Sequence, residues 1–453
     1  MRANSQFALQ GSQPGTLMSW LHRYQLRLYF HNSIWILPAL SIPVALISVS
    51  LLTRYERAVG SQADVSVETA RAIMSTVAAS TFTLVVLVAS AVLVAVQLAS
   101  AQLTPRLIAL VYRNPYRKVA FSVFVLTFTF AVGVLVRIED TVPRLASYAA
   151  AYGFLFNLAL FFLFIDSMGK TLRPSSAARA VGLAGREVIR AVYPSRLNED
   201  SKPQPISAID GKQPRIVLNT VDGAVLAFDL KGLLTLAEQT QCVIELVPEV
   251  GDFIAQGDPL FKIYQGGSEL LDAKLRNHVA IGGERTLDQD PLFSFRILVD
   301  IASKALSPAI NDPTTAVLVI DQIHHLLRDI GNRYLADGHE EDSSGKVRVV
   351  YRTPDWEDFV LLGTTEIRQY GRDSIQVQRR LRAMLKDLIE TLPEQRHPVL
   401  RKELALLSSL SRRAFPDLDD QALAESSDLQ GIGGSPSEVS ENHHDASARL
   451  AER

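Results

Sequence analysis

The sequence predicts a four-span α-helical transmembrane domain followed by a cytoplasmic α+β domain, in which a small β unit precedes a set of helices. Three observations lead to this fold class. Four uncharged apolar stretches occupy the first third of the chain, short strand-like runs with Gly-Asp turns follow, and Asp-Pro pairs then open amphipathic helices. At 453 residues the chain is long enough for two or three domains.

The four apolar stretches predict membrane spans. They cover residues 34–53, 73–96, 119–136 and 146–165 and contain no Asp, Glu, Lys or Arg. At about 1.5 Å per residue, helices of this length reach roughly 27–36 Å, which matches a hydrocarbon core of about 30 Å. The transmembrane domain is therefore expected over 34–166. Because the first stretch starts behind a polar leader and is long, it does not fit a signal peptide.

Lysine and arginine residues near the span ends predict the orientation, since they favour the cytoplasmic side. Ten lie on the side of the leader, the 97–118 connection and the segment after the fourth span, and five lie on the other side. Both termini are thus expected in the cytoplasm. The leader, 1–33, is amphipathic over 17–30, which is typical of an interfacial helix. A helix packed on the cytoplasmic domain would show the same pattern.

Small residues spaced four apart predict close helix packing in the membrane. They are Ala91, Ala95 and Ala99 in the second span and Ala149, Gly153 and Asn157 in the fourth. This spacing lets helix backbones approach, and an Asn can hydrogen-bond across the contact. Packing, also between subunits of a homo-oligomer, is the favoured interpretation. The second span is rich in Ser and Thr as well, which leaves a hydroxyl-lined pore as the alternative.

Beyond the spans the pattern changes to that of a water-exposed domain. A linker is expected at 167–213, and the α+β domain at 214–415. Its first part has short β-rich runs separated by turns at Asp222-Gly223 and Gly251-Asp252, with a helix between them. A strand at 346–351 and helices near 355–370, 373–391 and 397–413 complete it. The tail, 416–453, is acidic and rich in Gly and Ser, so we expect it to be disordered.

The stretch KALSPAINDPTTAVLVIDQIHH, 304–325, predicts two helices joined at a corner. Each helix opens with an N-capping Asp followed by Pro, at Asp290-Pro291 and at Asp312-Pro313. Pro308 ends the first helix, so helices are expected over 291–306 and 313–330. The polar residues near this corner form a candidate ligand-binding or regulatory site: Arg285, Arg296, Asp300, Ser307, Asn311 and Asp312. A surface ion-pair ladder is the plainer explanation for those spaced four apart.

Asp321, His324 and His325 follow the corner with the spacing D-x-x-H-H. An acidic residue and a His three apart on a helix can share a metal ion, as in di-iron bundles. Since the sequence offers no second element of this kind, a solvated or partner-facing cluster is favoured over a metal site. The sequence indicates no particular cofactor.

Composition and motifs exclude several classes of function. The net charge of −2 gives no general attraction to nucleic acid, and no nucleic-acid-binding motif is present. With Cys242 as the sole cysteine, neither an intrachain disulfide nor a cysteine zinc cluster can form. The sequence has no Walker loop, nucleophile elbow or H-E-x-x-H motif, so no enzyme class is indicated.

Three stretches resemble a family of predicted bacterial membrane proteins catalogued as domain of unknown function 2254. They are QLASAQLTPRLI (97–108), ERTLDQDPLFSFRILVDIASKALSPAINDPTTA (284–316) and DWEDFVLLGTTEIRQYG (355–371). The family pattern usually has Gly at the position of Ala309 and an aromatic residue at that of Thr314. The resemblance covers roughly 20–415. It implies a multi-pass protein of the bacterial inner membrane with a cytoplasmic domain, and it supplies no activity.

Three hypotheses of function follow. The first is an oligomeric channel or transporter regulated by its cytoplasmic domain through the Asp-Pro corner. The second is a membrane-anchored signalling or scaffold protein whose spans only pack in the bilayer. The third is a metal- or anion-dependent membrane enzyme centred on Asp312, Asp321, His324 and His325.

Overall fold

Four long apolar helices form the N-terminal part of the protein, as the sequence predicted. The computed structural model describes residues 19–60, 65–107, 115–139, 141–171, 173–197, 213–335 and 338–434. After α1 (Trp20–Asn32), the four helices are α2 (Ile36–Val59), α3 (Val67–Gln102), α4 (Pro115–Val136) and α5 (Arg144–Thr171). Each is long and apolar enough to cross a membrane. The predicted fold class is confirmed: these helices precede a part of the chain built from small sheets and helices.

The remaining elements alternate between strands and helices before ending in helices only. In chain order they are α6 (Pro174–Val192), β1 (Arg215–Leu218), β2 (Gly223–Phe228), α7 (Leu230–Thr240), β3 (Val243–Leu246), β4 (Phe253–Ile254), β5 (Pro259–Tyr264), α8 (Asp272–Arg276), β6 (Val279–Gly282), α9 (Pro291–Ala305), α10 (Pro313–Gly331), β7 (His339–Glu341), β8 (Val347–Tyr351), α11 (Trp356–Tyr370), α12 (Ile375–Thr391), α13 (His397–Ala414) and α14 (Leu418–Glu425).

The chain divides into two compact units, and the division does not follow the predicted boundary at 213/214. Of the described residues, one unit, here called the β unit, holds 19–31, 213–290 and 338–353. The other, the helical unit, holds the four apolar helices together with α6 and α9–α14. The helices predicted for the α+β domain therefore belong to the same unit as the spans.

The spans pack through a repeating apolar seam on α3. Its buried positions are three, four or seven residues apart and include Ala70, Met74, Val77, Thr81, Val88 and Ala95. This spacing keeps one face of a helix turned toward its neighbours. Helix α4 packs against α2, α3 and α5. A Cβ added at Gly133 of α4 would lie 2.9 Å from Cγ1 of Val49, which shows how closely α2 approaches α4.

At the end of the spans away from α9, two charged side chains connect neighbouring helices. Each follows one of the predicted apolar stretches in the sequence. Glu56 of α2 is 2% exposed, and its carboxylate accepts hydrogen bonds from the backbone N–H groups of Leu145 and Ala146 at the start of α5. A carboxylate at a helix N-terminus satisfies donors that lack a partner in the helix. Arg137 donates from Nη2 to Ser50 Oγ at 2.7 Å, so α2 is tied to the end of α4 as well.

Two sheets make up the framework of the β unit. The larger has the order β1-β5-β3-β8-β7, with β3 and β8 parallel and the other pairs antiparallel. The smaller has the order β4-β2-β6. The strands predicted on either side of Asp222-Gly223 are present, and they pair with strands of different sheets. Helix α1 contributes Tyr24, whose hydroxyl donates to Asp288 at 3.1 Å. This contact agrees with the alternative in which the leader helix packs on the domain that follows the spans.

In the helical unit α6, α9, α10, α11 and α12 pack against one another and contain buried apolar residues. Helix α6 lies within the range predicted as a linker and packs against α9 and α10. Its glycines allow close approach: a Cβ at Gly185 would lie 2.6 Å from Oγ of Ser294. Within the predicted acidic tail, α14 forms because the Asp417 side chain accepts from the N–H groups of Asp419 and Asp420. Residues 435–453 of that tail lie outside the described residues.

Candidate functional site

Three of the predicted corner residues build the turn between α9 and α10. The Ser307 hydroxyl donates to the carbonyl oxygen of Lys304 at 2.7 Å. Asn311 has a left-handed backbone with φ of 49°, and its N–H donates to the Ser307 carbonyl at 2.9 Å. Asp312 caps α10, accepting from Thr315 N at 3.0 Å, as the Asp-Pro pattern predicted. The carboxylate of Asp312 thus occupies the N-terminus of α10, where an anion would otherwise bind.

Two other predicted residues form an ion-pair network that joins three segments of the helical unit. Asp300 of α9 accepts a hydrogen bond from Arg296 Nε at 2.7 Å and is bound by Arg106, which follows α3. Arg296 also donates from Nη2 to Glu366 of α11 at 2.8 Å. Beside the network, Lys304 Nζ donates to the carbonyl oxygen of Ser100 in α3 at 3.0 Å. We call Arg106, Arg296, Asp300 and Glu366 the junction network.

Two residues of the junction network, Arg296 and Glu366, are held in their charged states. The hydrogen bond to Glu366 is the main cause that raises the pKa of Arg296, against the opposing effect of burial, and Asp300 raises this pKa further. The same bond from Arg296 is the main cause that lowers the pKa of Glu366. Both groups therefore stay ionised at neutral pH, which suits a mechanical link between helices better than proton transfer.

Arg285, also predicted for the corner, belongs to the β unit. It pairs there with Asp290, with 3.0 Å between Nη2 and Oδ1. Its guanidinium also lies against Gly251, where φ is 97° and where an added Cβ would fall 2.2 Å from Nη2. The sequence placed Arg285 near the corner because it is close along the chain to α9.

The predicted D-x-x-H-H cluster pairs with helix α12. Asp321 accepts from Arg380 Nε at 2.6 Å, and Nε2 of His324 lies 2.7 Å from Oδ2 of Asp387. The His325 ring stacks on that of His324 with 6.3 Å between centroids. Burial, as the main cause, lowers the pKa of His324. Among the described residues no group of three or more His, Cys, Asp and Glu side chains is placed to hold a metal ion.

The small residues predicted to pack in the membrane have different environments. Ala91 and Ala95 lie in an apolar cluster with Phe124 and Phe164 of the same chain, and the side chain of Ala99 is outside the described part. Ala149 is exposed. A Cβ on Gly153 would lie 3.2 Å from Thr127 Cγ2. Asn157 is fully buried, with Oδ1 3.4 Å from the Thr127 hydroxyl.

The face of α3 opposite its buried seam carries polar residues at every seventh position. All five are exposed in the single chain: Thr69, Thr76, Thr83, Ser90 and Gln97. We call this row the polar stripe. The sequence shows that this span is rich in hydroxyl side chains. The seven-residue spacing is the sequence signal that places these five polar residues on one face of the helix. A period of 3.5 residues per turn is typical of helices that pack side by side with a left-handed crossing.

Comparison with known proteins agrees with this architecture. Residues 31–387 match the family described as predicted membrane protein (DUF2254). The chain belongs to this family. It is also similar to an uncharacterized protein of Mycobacterium tuberculosis and to one of Mycobacterium bovis, each 25% identical over 442 residues, which cover 90% of this chain and 84% of the relative. No solved structure matches. The family is described as predicted membrane proteins, which agrees with four helices long and apolar enough to cross a membrane.

Proposed function

We propose that this protein is the subunit of a homo-oligomeric channel or transporter in the bacterial inner membrane, with both termini and the β unit in the cytoplasm. The polar stripe of α3 lines the pathway between subunits. The excess of Lys and Arg on the side of the termini supports the orientation. The single observation that carries the proposal is the exposed, seven-residue repeat of polar side chains along a span.

The stripe fits a wet interface better than a lipid-facing surface. Thr76 and Thr83 donate their hydroxyls to the carbonyls of Ala72 and Ala79, at 2.9 and 3.0 Å, which satisfies the donors inside the helix. Their oxygens still accept hydrogen bonds from water or solute. Gln97 carries an amide that lipid tails cannot hydrogen-bond. Since 22% of the most apolar stretch of α3 is buried in one chain, there is ample surface for neighbouring copies.

Regulation in this proposal passes through the junction network. Helix α3 has 36 residues, and at about 1.5 Å per residue it reaches roughly 54 Å, which exceeds a bilayer core of about 30 Å. Its end is fastened to α9 by Lys304, and the turn after it by Arg106. A shift of α9 against the bilayer therefore moves the helix that carries the polar stripe.

The same link favours one alternative function, a membrane-anchored signalling or scaffold protein. In that case the junction network transmits a signal between the bilayer and the helical unit, and the spans only pack. The two functions differ at the polar stripe, which is wet in a channel and dry in a scaffold.

Cysteine accessibility separates the two. Replacing the buried Cys242 by Ala gives a cysteine-free chain, into which Thr76→Cys, Thr83→Cys and Ser90→Cys are introduced singly. Phe82→Cys is the matched control, because Phe82 is 52% exposed and lies about 100° around the same helix from Thr83. A charged, membrane-impermeant thiol reagent is added to native membranes.

We expect the stripe cysteines to react much faster than the Phe82→Cys control, because only a thiol in contact with water ionises and reacts readily. Equal, slow reaction at stripe and control positions contradicts the pathway. If oxidation then cross-links the stripe cysteines between copies, the scaffold alternative is supported.

A further inference from the structure

A cavity of about 270 Å³ lies among the spans at the end that carries α9. Its wall comes from the residues that lead into α2, from the α9-proximal half of α3 and from the first turns of α4. Principal lining residues are Ser33, Trp35, Ala89, Leu93, Arg117 and Phe121. Leu93 lies three residues after Ser90 and four before Gln97, on the face of α3 that carries the polar stripe, whereas Ala89 lies on the neighbouring face. The cavity therefore borders the proposed pathway.

The cavity combines one buried cation with an apolar wall. Arg117 is the third residue of α4 and is 4% exposed. An arginine near a span end is expected to direct its guanidinium to the level of the lipid headgroups. The Trp35 ring packs edge-on against Phe121 with 5.5 Å between centroids, and Trp is enriched at that same level of the bilayer.

This chemistry selects an amphipathic anion. The guanidinium matches a phosphate group, which it can bind through two parallel hydrogen bonds. The apolar wall of Ala89, Leu93 and Phe121 leads away from Arg117 along the span. Since ligand pockets usually measure roughly 300–1,000 Å³, this one takes a headgroup with the upper part of one acyl chain.

We infer that the cavity binds one glycerophospholipid with an anionic headgroup, with its phosphate on Arg117 and an acyl chain along Leu93 and Phe121. A zwitterionic ethanolamine headgroup fits less well, because its ammonium would lie beside the guanidinium. The inference does not depend on the proposed channel, since a scaffold protein would hold the same lipid.

Native mass spectrometry of the full chain in detergent tests this, with palmitoyl-oleoyl phosphatidylglycerol added in steps. The wild type should retain one such lipid more tightly than phosphatidylethanolamine of the same chains. Arg117→Gln should weaken phosphatidylglycerol binding about tenfold, equal to about 1.4 kcal/mol. Arg173→Gln, an exposed arginine after α5, is the matched control and should bind as the wild type does. Excess inorganic phosphate should leave the lipid bound.

A second variant keeps the test decisive if Arg117→Gln fails to fold. Leu93→Trp fills the cavity from a position that is 58% exposed, so it leaves the packing of the spans largely unchanged. It should weaken phosphatidylglycerol binding while Arg117 stays in place. Equal binding by the wild type and either folded variant overturns the inference. Equal retention of the two lipids also overturns it. Displacement of the lipid by inorganic phosphate overturns it as well, because the site would then bind phosphate without the acyl chain.

Discussion

Removing the charge of Asp300 should loosen the contact between α3 and the helical unit. In Asp300→Asn the Arg106 guanidinium loses its carboxylate, while Arg296 keeps its bonds to Glu366. The turn that follows α3, including Arg106, should then open more often. The matched change on the other side of the pair is Arg106→Gln.

The magnitude follows from exposure and geometry. The side chains of Arg106 and Asp300 are 46% and 20% exposed, so solvent screens much of their attraction, and we expect about 0.5–1 kcal/mol of coupling between them. The bond from Arg296 to Asp300, 2.7 Å long and between less exposed groups, contributes more. Asp300→Asn should therefore cost about 1.5 kcal/mol in local opening, and Arg106→Gln about 0.5–1 kcal/mol.

Amide hydrogen exchange of residues 97–107 measures this opening, with α13 as an internal reference. Exchange should accelerate roughly threefold in Arg106→Gln and roughly tenfold in Asp300→Asn, because about 1.4 kcal/mol corresponds to a factor of ten. The double variant should accelerate exchange less than the product of the two single effects. Purely multiplicative effects, or exchange unchanged in all three variants, would refute the ion pair as a link.

Three further predictions concern the helical unit, each measured by the midpoint of thermal unfolding. Because the pKa of His324 is lowered in the folded state, the neutral ring stabilises the fold fully above the ordinary value near 6.5, and this stabilisation decreases as the pH falls below it. His324→Gln should flatten this decrease below about pH 6.5, and an unchanged slope would contradict the prediction. Glu403→Gln should cost about 3 kcal/mol, since Glu403 is 1% exposed and Arg368, 3.2 Å away, would keep a buried charge without its partner; a loss below about 1 kcal/mol would count against a buried pair. Asn311→Gly should be neutral or stabilising and Asn311→Ala destabilising by about 1 kcal/mol, owing to the positive φ; the reverse order would reject the left-handed turn.

Local patterns in the sequence were sufficient to predict the elements that depend on neighbouring residues. Span length and apolar content identify α2–α5, since both are properties of a continuous stretch. The Asp312-Pro313 pair fixes the start of α10 through a cap that forms within four residues. The helices predicted at 355–370 and 373–391 begin and end within two residues of α11 and α12.

Those local patterns could not predict contacts between segments that are distant in the sequence. The spacing of Arg296 and Asp300 places both on one face of α9, and it gives no sign that Arg106 and Glu366 lie opposite them. Helix periodicity shows which residues share one face of a helix. It does not show which other helix packs against that face. Asp321 likewise resembles half of a metal site until Arg380, 59 residues later in the chain, occupies its carboxylate.

One helix, α6, lies in the range 167–213 that was predicted as a linker. It contains Gly182 and Gly185, and glycine disfavours an isolated helix. In the structure both lie in α6, where a Cβ at Gly182 would come within 2.7 Å of Gln322 Oε1. The glycines are needed for close helix contact, a requirement that appears only when the neighbouring helix is present.

Solute flux that depends on the polar stripe would distinguish a conducting pathway from a surface that only packs. The full chain with Cys242→Ala and Thr83→Cys is reconstituted in liposomes, and the flux of potassium, chloride and glycerol is recorded before and after a bulky, charged thiol reagent is added. The Phe82→Cys chain serves as the control. We expect flux of at least one of these solutes. Modification should block this flux in the Thr83→Cys chain and leave it unchanged in the control. Absence of flux, or flux that modification at residue 83 does not alter, would contradict it.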